Sequence, residues 1–286
     1  MSGSYYDQPL LKAPVWTWEI PAYFFVGGAA GAAAVVAAVA QAAGASASLV
    51  RDARWIAAAG GVASPALLVS DLGRPERFLN MLRVFKVRSP MSVGAWTLVA
   101  FSNAAGATTF ANALTRTHRS LPVRVIANAS DVLAGATGLV LSTYTGVLIG
   151  ATAIPVWSRN VSLLPIHFGA SGLGSAVSLL ELMGHRDTAL NNLGIGTAAV
   201  ETLIGLSIES DTDPVLDPLK EGWSGRVTRL GGVLSGPLPL ALRVLGGRSM
   251  NIRRIAAAST IVGSLLTRVG WMAAGRESAR GPEGQG

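Results

Sequence analysis

"SDLGRPERFLNMLRVFKVRSPMSVGAW", residues 70–96, joins two long apolar runs and holds five Lys/Arg together with Asp71 and Glu76. Such a cluster stands out, because charged residues are only 14% of the 286-residue chain, against about 25% in soluble proteins. With 50% hydrophobic residues and a mean hydropathy of +0.44, the flanking runs belong in a lipid bilayer. Inside the stretch, Phe78, Met81, Leu82 and Phe85 recur at i, i+3, i+4 and i+7. That spacing makes one apolar helical face, while Arg77, Asn80, Arg83 and Lys86 fall largely elsewhere. A short amphipathic helix lying in the headgroup region follows. It serves either as an anchor on lipid phosphates or as a platform for another subunit. Ser89 reads as the N-cap of the next helix and Pro90 as its first residue.

Outward from this connection, eight apolar runs approach the roughly 20 residues that a spanning helix needs. They are Ile20–Ala43, Trp55–Leu72, Ser92–Leu114, Ile126–Ala151, Leu163–Met183, Ala189–Ile208, Leu230–Leu245 and Ile255–Ala274. The seventh is short and carries Pro237 and Pro239. The runs are too long for strands and lack the alternation of a membrane barrel. Backbone groups in lipid must be bonded within the segment, so helices are expected. The predicted fold is an all-α integral membrane protein with eight transmembrane helices and an interfacial helix between the second and third. An N-terminal segment, 1–19, precedes a first four-helix bundle over 20–151. A second bundle covers 152–275, and the Gly-rich end, 276–286, is expected to be a disordered tail. Gly27–Gly31 and Gly146–Gly150 have the small-xxx-small spacing that lets helices approach closely. The absence of an internal repeat speaks against an inverted-repeat transporter.

The formal net charge is +7, but the basic residues sit between apolar runs. Membrane orientation and anionic lipid are therefore the expected uses of that charge, not nucleic acid. With eight spans, the side shared by both termini has 12 Lys/Arg and the other side 10, with Arg268 inside the last span. That split does not decide orientation. The shorter, densely basic loops of the second group favour the terminal side outside. The start of the chain lacks the pattern of a cleaved signal peptide. No Cys is present, so this chain makes no disulfide, Cys-ligated zinc site or iron–sulfur cluster. His118 and His185 fall in loops, leaving His167 alone in a span, which argues against a bis-histidine haem. No HExxH or carboxylate–His cluster suggests a metal.

The pattern LGRPxRF…SPMSxGxW, read from Leu72 to Trp96, resembles the NrfD-like family of respiratory membrane subunits, which includes the membrane subunit of polysulfide reductase. "WEIPAYFFVGGAAG" in the first span, "YTGVLIGATAIPVW" from Tyr144 and Arg268 in the last span extend the resemblance over nearly the whole chain. It implies a multi-pass subunit of the bacterial inner membrane that binds menaquinone or ubiquinone. It also implies docking of a four-cluster ferredoxin-like iron–sulfur subunit, which serves a molybdenum- or tungsten-dependent catalytic subunit. In one member of the family, Asn and His on the first helix help to grip the quinone. Here that helix has neither, and Glu19 and Tyr23 are the nearest polar residues.

The residues themselves point to the same half of the membrane. Trp16, Trp18, Glu19 and Tyr23 begin the first span, Asp71 and Arg74 end the second, and Ser92 and Trp96 lie early in the third. Tyr144 is about seven residues from the same end of the fourth, roughly 10 Å deep. His167, early in the fifth, and Arg268, late in the eighth, join them. Polar groups in lipid are costly and usually face a cavity or bundle interior. A quinone pocket needs an apolar sleeve, hydrogen-bond donors for two carbonyl oxygens and proton carriers. Tyr144 is the expected donor, with Tyr23, Trp18, Trp96 and His167 around it and Glu19 and Asp71 in proton exchange. Asp131, about 20 Å along the helix from Tyr144, either opens a proton route from the far side or makes a structural pair. The alternative for Asp71 is a pair with Arg74, and Arg268 is expected to pair with Glu201. Arg74, Glu76, Arg77 and Arg83 are the expected docking residues, with the acidic 209–221 loop as a second contact. Two rival functions are a structural anchor without quinone chemistry and a small-molecule or ion transporter.

Overall fold

The computed structural model describes residue 11, residues 13–114 and residues 120–281. Lys12, Arg116, His118 and Arg119 lie outside the described residues. Those described form twelve α-helices and no strand: α1 (Glu19–Ala42), α2 (Ala47–Leu72), α3 (Pro75–Met81), α4 (Pro90–Leu114), α5 (Leu121–Gly150), α6 (Pro155–Ser158), α7 (Leu163–Leu182), α8 (Thr188–Ser210), α9 (Asp217–Lys220), α10 (Gly222–Ser235), α11 (Pro237–Gly246) and α12 (Met250–Arg280). Helices α1, α2, α5, α7 and α12 are long and apolar enough to cross a membrane. Helices α4 and α8 have 25 and 23 residues. The chain is a multi-pass membrane protein of all-α class.

Three boundaries differ from those read off the sequence. Helix α2 starts at Ala47, where the Ser46 hydroxyl accepts from Leu49 N, so the charged turn Arg51–Arg54 is helical. The predicted seventh span is two helices of 14 and 10 residues, α10 and α11, broken at Gly236. Pro237 has no N–H to continue the ladder but suits the first turn of a new helix. Helix α12 runs to Arg280, so residues 276–280 of the expected disordered tail are helical. Residues 282–286 lie outside the described part.

Helix α1 is the hub, packing on α2, α5, α7 and α12. Its Gly/Ala composition permits this: a Cβ on Gly31 would sit 2.4 Å from the Gly138 carbonyl oxygen of α5. Helix α4 packs on α2 and α5, while α12 gathers α7, α10 and α11. Large apolar side chains point outward along these helices, Phe110, Val132 and Leu203 among them. The buried set includes Arg54, Asp131, Glu181, Glu201, Arg243, Arg253 and Arg268. An apolar exterior around paired polar groups suits a lipid solvent.

Ion pairs cross the bundle at its far end. Arg54 Nε donates to Asp131 Oδ1 at 2.9 Å, and its Nη2 reaches Asp131 Oδ2 and Gln41 Oε1. One guanidinium thereby ties α2 to α5 and α1. Glu181 on α7 receives Arg243 Nη1 at 3.0 Å and Arg253 Nε at 2.9 Å. Arg268, fully buried, donates from Nη1 to Ser171 Oγ (2.8 Å), Ser264 Oγ (2.7 Å) and the Ser264 carbonyl (2.9 Å). Its guanidinium lies 5.1 Å from the Phe168 ring centre. The expected direct pairing with Glu201 is not made. Glu201 instead accepts from Ser235 Oγ at 2.9 Å and lies 3.6 Å from His167 Nε2.

Candidate functional site

The charged connection builds one wall of a crevice, residue by residue. Gly73 ends α2 with φ +67°, a left-handed conformation that favours glycine. Pro75 opens α3 at a first-turn position. That helix stops at Met81, shorter than the expected amphipathic face. Phe78 packs on the core from it, while Phe85 lies beyond its end against Trp96, ring centres 6.2 Å apart. Ser89 fulfils its expected role as a cap, its Oγ accepting from Ser92 N at 3.4 Å as α4 begins at Pro90. Ser92 Oγ accepts from Lys86 N at 3.0 Å and donates to the Val84 carbonyl at 3.1 Å, fixing the loop to the helix. Four residues after Pro90, Gly94 leaves the space that the Tyr144 ring occupies. A Cβ there would lie 2.1 Å from Tyr144 Cε1. The Tyr144 hydroxyl donates to the Pro90 carbonyl.

Beneath this wall lies a cavity of about 80 Å³ whose lining includes Trp16, Tyr23, Asp71, Met81, Met91 and Tyr144. The Asp71 carboxylate accepts from Thr17 N at 3.2 Å and Thr17 Oγ1 at 2.9 Å. Thr17 Oγ1 also meets Glu19 Oε2. Asp71 is therefore held by Thr17 and not by Arg74. Trp16 stacks on Trp157, ring centres 5.7 Å apart. Arg276 of α12 holds the Trp16 carbonyl. Tyr23 is 3% exposed, and its hydroxyl makes no hydrogen bond among the described residues.

The sequence-predicted site residues divide. Tyr144, Tyr23 and Asp71 share the crevice, with Glu19 attached through Thr17. Trp18 is 68% exposed and points away, because it precedes α1 while Trp16 turns inward. Trp96 contacts Phe85 outside the crevice. His167 lines a separate cavity of about 370 Å³ with Glu201, Leu206, Arg229 and Pro237. Asp131 is occupied by Arg54, the structural alternative for that residue, and lines no part of the crevice. Arg74, Glu76, Arg77 and Arg83 are all exposed on and around α3. In the acidic loop, Glu209 pairs with Arg229 (2.6 Å) and Asp211 and Asp213 with Arg159 (3.6 and 3.0 Å). Asp217 and Glu221 remain exposed. Thr17, Gly94 and Met91 were not among the site residues expected from the sequence; Met81 was expected on the apolar face of the interfacial helix, and Trp16 was placed only by its depth. The motif Gly was the available signal for the last wall.

The donor set suits a quinone ring: an unspent phenol at Tyr23, a second phenol at Tyr144, a carboxylate at Asp71 and apolar walls. The volume does not admit a ring as it stands, since ligand pockets run to about 300–1,000 Å³. Met81 and Met91 border the cavity, and unbranched thioether side chains repack readily. Among the described residues no group of three or more His, Cys, Asp or Glu could hold a metal.

Helical spans, an exterior fit for lipid and a crevice with a few polar groups under an exposed basic loop define a multi-pass membrane protein. The chain belongs to the NrfD, or polysulphide reductase, family, whose model matches residues 8–189. That family comprises membrane subunits of respiratory oxidoreductases. The match ends just inside α8, so Arg268 and the helices after it lie outside it and the likeness covers less than the whole chain. No curated protein matches this chain.

Proposed function

We propose that this chain is the quinone-reactive membrane anchor of a multisubunit respiratory oxidoreductase in a bacterial inner membrane. It would exchange electrons with an iron–sulfur partner of the four-cluster ferredoxin type, which serves a molybdenum- or tungsten-dependent subunit. The observation that carries this reading is the convergence of Tyr23, Tyr144 and Asp71 on one crevice directly under the motif loop. A bound quinone supplies two-electron, two-proton redox chemistry. The chain's residues supply the rest. Tyr23 Oη is a free donor for a carbonyl oxygen, and Tyr144 becomes one by giving up Pro90. Asp71 holds or releases a proton at its carboxylate, and the Thr17 hydroxyl joins it to Glu19 on the exposed side. Arg74, Arg77 and Arg83, with Glu76, form the docking face a few residues away. The eight-span arrangement is completed in this reading by α4, α8 and the broken α10–α11 segment.

The small cavity equally favours a structural anchor that has lost quinone chemistry. Titrating the purified complex with a tightly binding quinone analogue, read by quinone reduction and by ligand retention, separates the two. Saturable binding that stops turnover, and that Tyr23→Phe weakens, supports the quinone site. Full electron transfer with no analogue bound would overturn it.

A further inference from the structure

At the opposite end of the molecule from the crevice lies a second polar hollow. It has a volume of about 840 Å³ and is bordered by the loop before α8, the end of α11 and the start of α12. Arg186, Arg243, Arg248 and Arg253 line it, with Asn191. The Glu181 carboxylate receives two of those guanidinium groups, Arg243 and Arg253. Of the four, Arg243 and Arg253 are buried and share the single Glu181 carboxylate, leaving one buried positive charge in excess, while Arg186 and Arg248 are exposed at the mouth of the hollow. An unmatched buried charge is costly, and a site of this kind gains by taking up an anion.

The hollow is built and not merely basic. Arg243 is 2% exposed, and its Nε has no hydrogen-bond partner. Its guanidinium presses on α8 where Gly194 makes room, since a Cβ there would lie 2.4 Å from Arg243 Cζ. Arg253 is braced by the Arg186 and Asp187 carbonyls, each at 3.1 Å. Thr188 and Met250, the first residues of α8 and α12, both border the hollow. Neither helix has a side-chain cap, so their first-turn N–H groups add positive potential at the same place. Val244 and Leu245 also border it, at 62% and 87% exposed. Apolar side chains beside arginines suit acyl chains below a charged headgroup.

We infer that this hollow binds a phosphate oxyanion, carried by an anionic phospholipid whose acyl chains run over Val244 and Leu245. Free inorganic phosphate offers the same oxygens without the chains, and the two sources separate in one experiment. The full-length protein, purified in neutral detergent and stripped of lipid, is titrated with cardiolipin, phosphatidylglycerol, phosphatidylcholine or inorganic phosphate. Tm and retained lipid, by native mass spectrometry, are the readouts. Cardiolipin and phosphatidylglycerol should raise Tm saturably, and phosphatidylcholine should not. The double variant Arg186→Gln/Arg248→Gln alters exposed residues outside the Glu181 cluster. It should unfold like the parent without lipid and need more lipid for half-saturation, roughly fivefold for each arginine removed. Phosphate matching the lipids at equal concentration would overturn the lipid source and leave a free-anion site. Equal effects of phosphatidylcholine, or an unchanged midpoint in the double variant, would overturn the site.

Discussion

The Tyr144 hydroxyl on α5 donates to the Pro90 carbonyl at the first residue of α4, across the bare backbone of Gly94. This contact joins the motif loop to a buried phenol of the crevice. A residue that binds α4 in one arrangement and a ligand in another would couple occupancy to the position of the docking loop.

Gly94→Ala should therefore damage the site from the loop side. Its Cβ would fall within 2.4 Å of three Tyr144 atoms, and overpacking costs typically about 1–3 kcal/mol. Thermal unfolding in detergent should show a lower Tm, with quinone turnover reduced. An unchanged Tm and rate would show that the ring has another place to sit.

Asp71→Asn should leave assembly intact and slow quinone reaction by about two orders of magnitude or more, the usual contribution of a positioned acid or base. Thr17→Val should slow it less, since Asp71 keeps the Thr17 backbone N–H. Turnover with a soluble quinone, normalised to assembled complex, measures both. Wild-type rates in Asp71→Asn would remove it from proton exchange.

Asp131→Asn should cost stability, not chemistry. It leaves Arg54 without its charged partner in a buried place, a loss of about 3–5 kcal/mol. Replacing both residues by Leu removes the stranded charge and should restore much of that loss. Denaturation of the single and double variants decides it; a double variant no better than the single would refute the assignment.

The Asp213 carboxylate is held below the usual carboxylate range, first by the Val215 N–H and then by Arg159. Its contribution to the Arg159 loop is thus complete above the unfolded value of about 3.9 and disappears as pH falls through the lower folded value. Acid titration followed by the loop's proteolytic sensitivity should show this step in the parent and lose it in Asp213→Asn. Identical acid profiles would refute it.

The helices were legible wherever an apolar run was uninterrupted, as in α1 and α7. Charge hid the rest: Arg51, Asp52 and Arg54 made the start of α2 look like a loop, although Arg51 pairs with its neighbour Asp52, and Asp52 and Arg54 meet His185 and Asp131 from elsewhere in the fold. Hydropathy carries no information on a pairing of residues 77 positions apart. Depth along the membrane grouped Tyr144, Tyr23 and Asp71, which line one crevice, but depth is one coordinate. It could not separate His167, which lies at a comparable level and faces α8 instead. Trp16 and Trp18 were indistinguishable by that measure because the residues before a helix do not share its periodicity.

The Arg54–Asp131 pair also sets an order on biosynthesis. At roughly 5–20 residues per second, Asp131 emerges several seconds after Arg54, since 77 positions separate them. During that wait α2 carries a guanidinium without its carboxylate partner, eight residues into the helix, where the cost in lipid stays below the about 2.5–3.5 kcal/mol of a mid-bilayer charge. The nascent hairpin of α1 and α2 gains by lingering beside the insertion machinery until α5 arrives, so the first helices enter the lipid as a group.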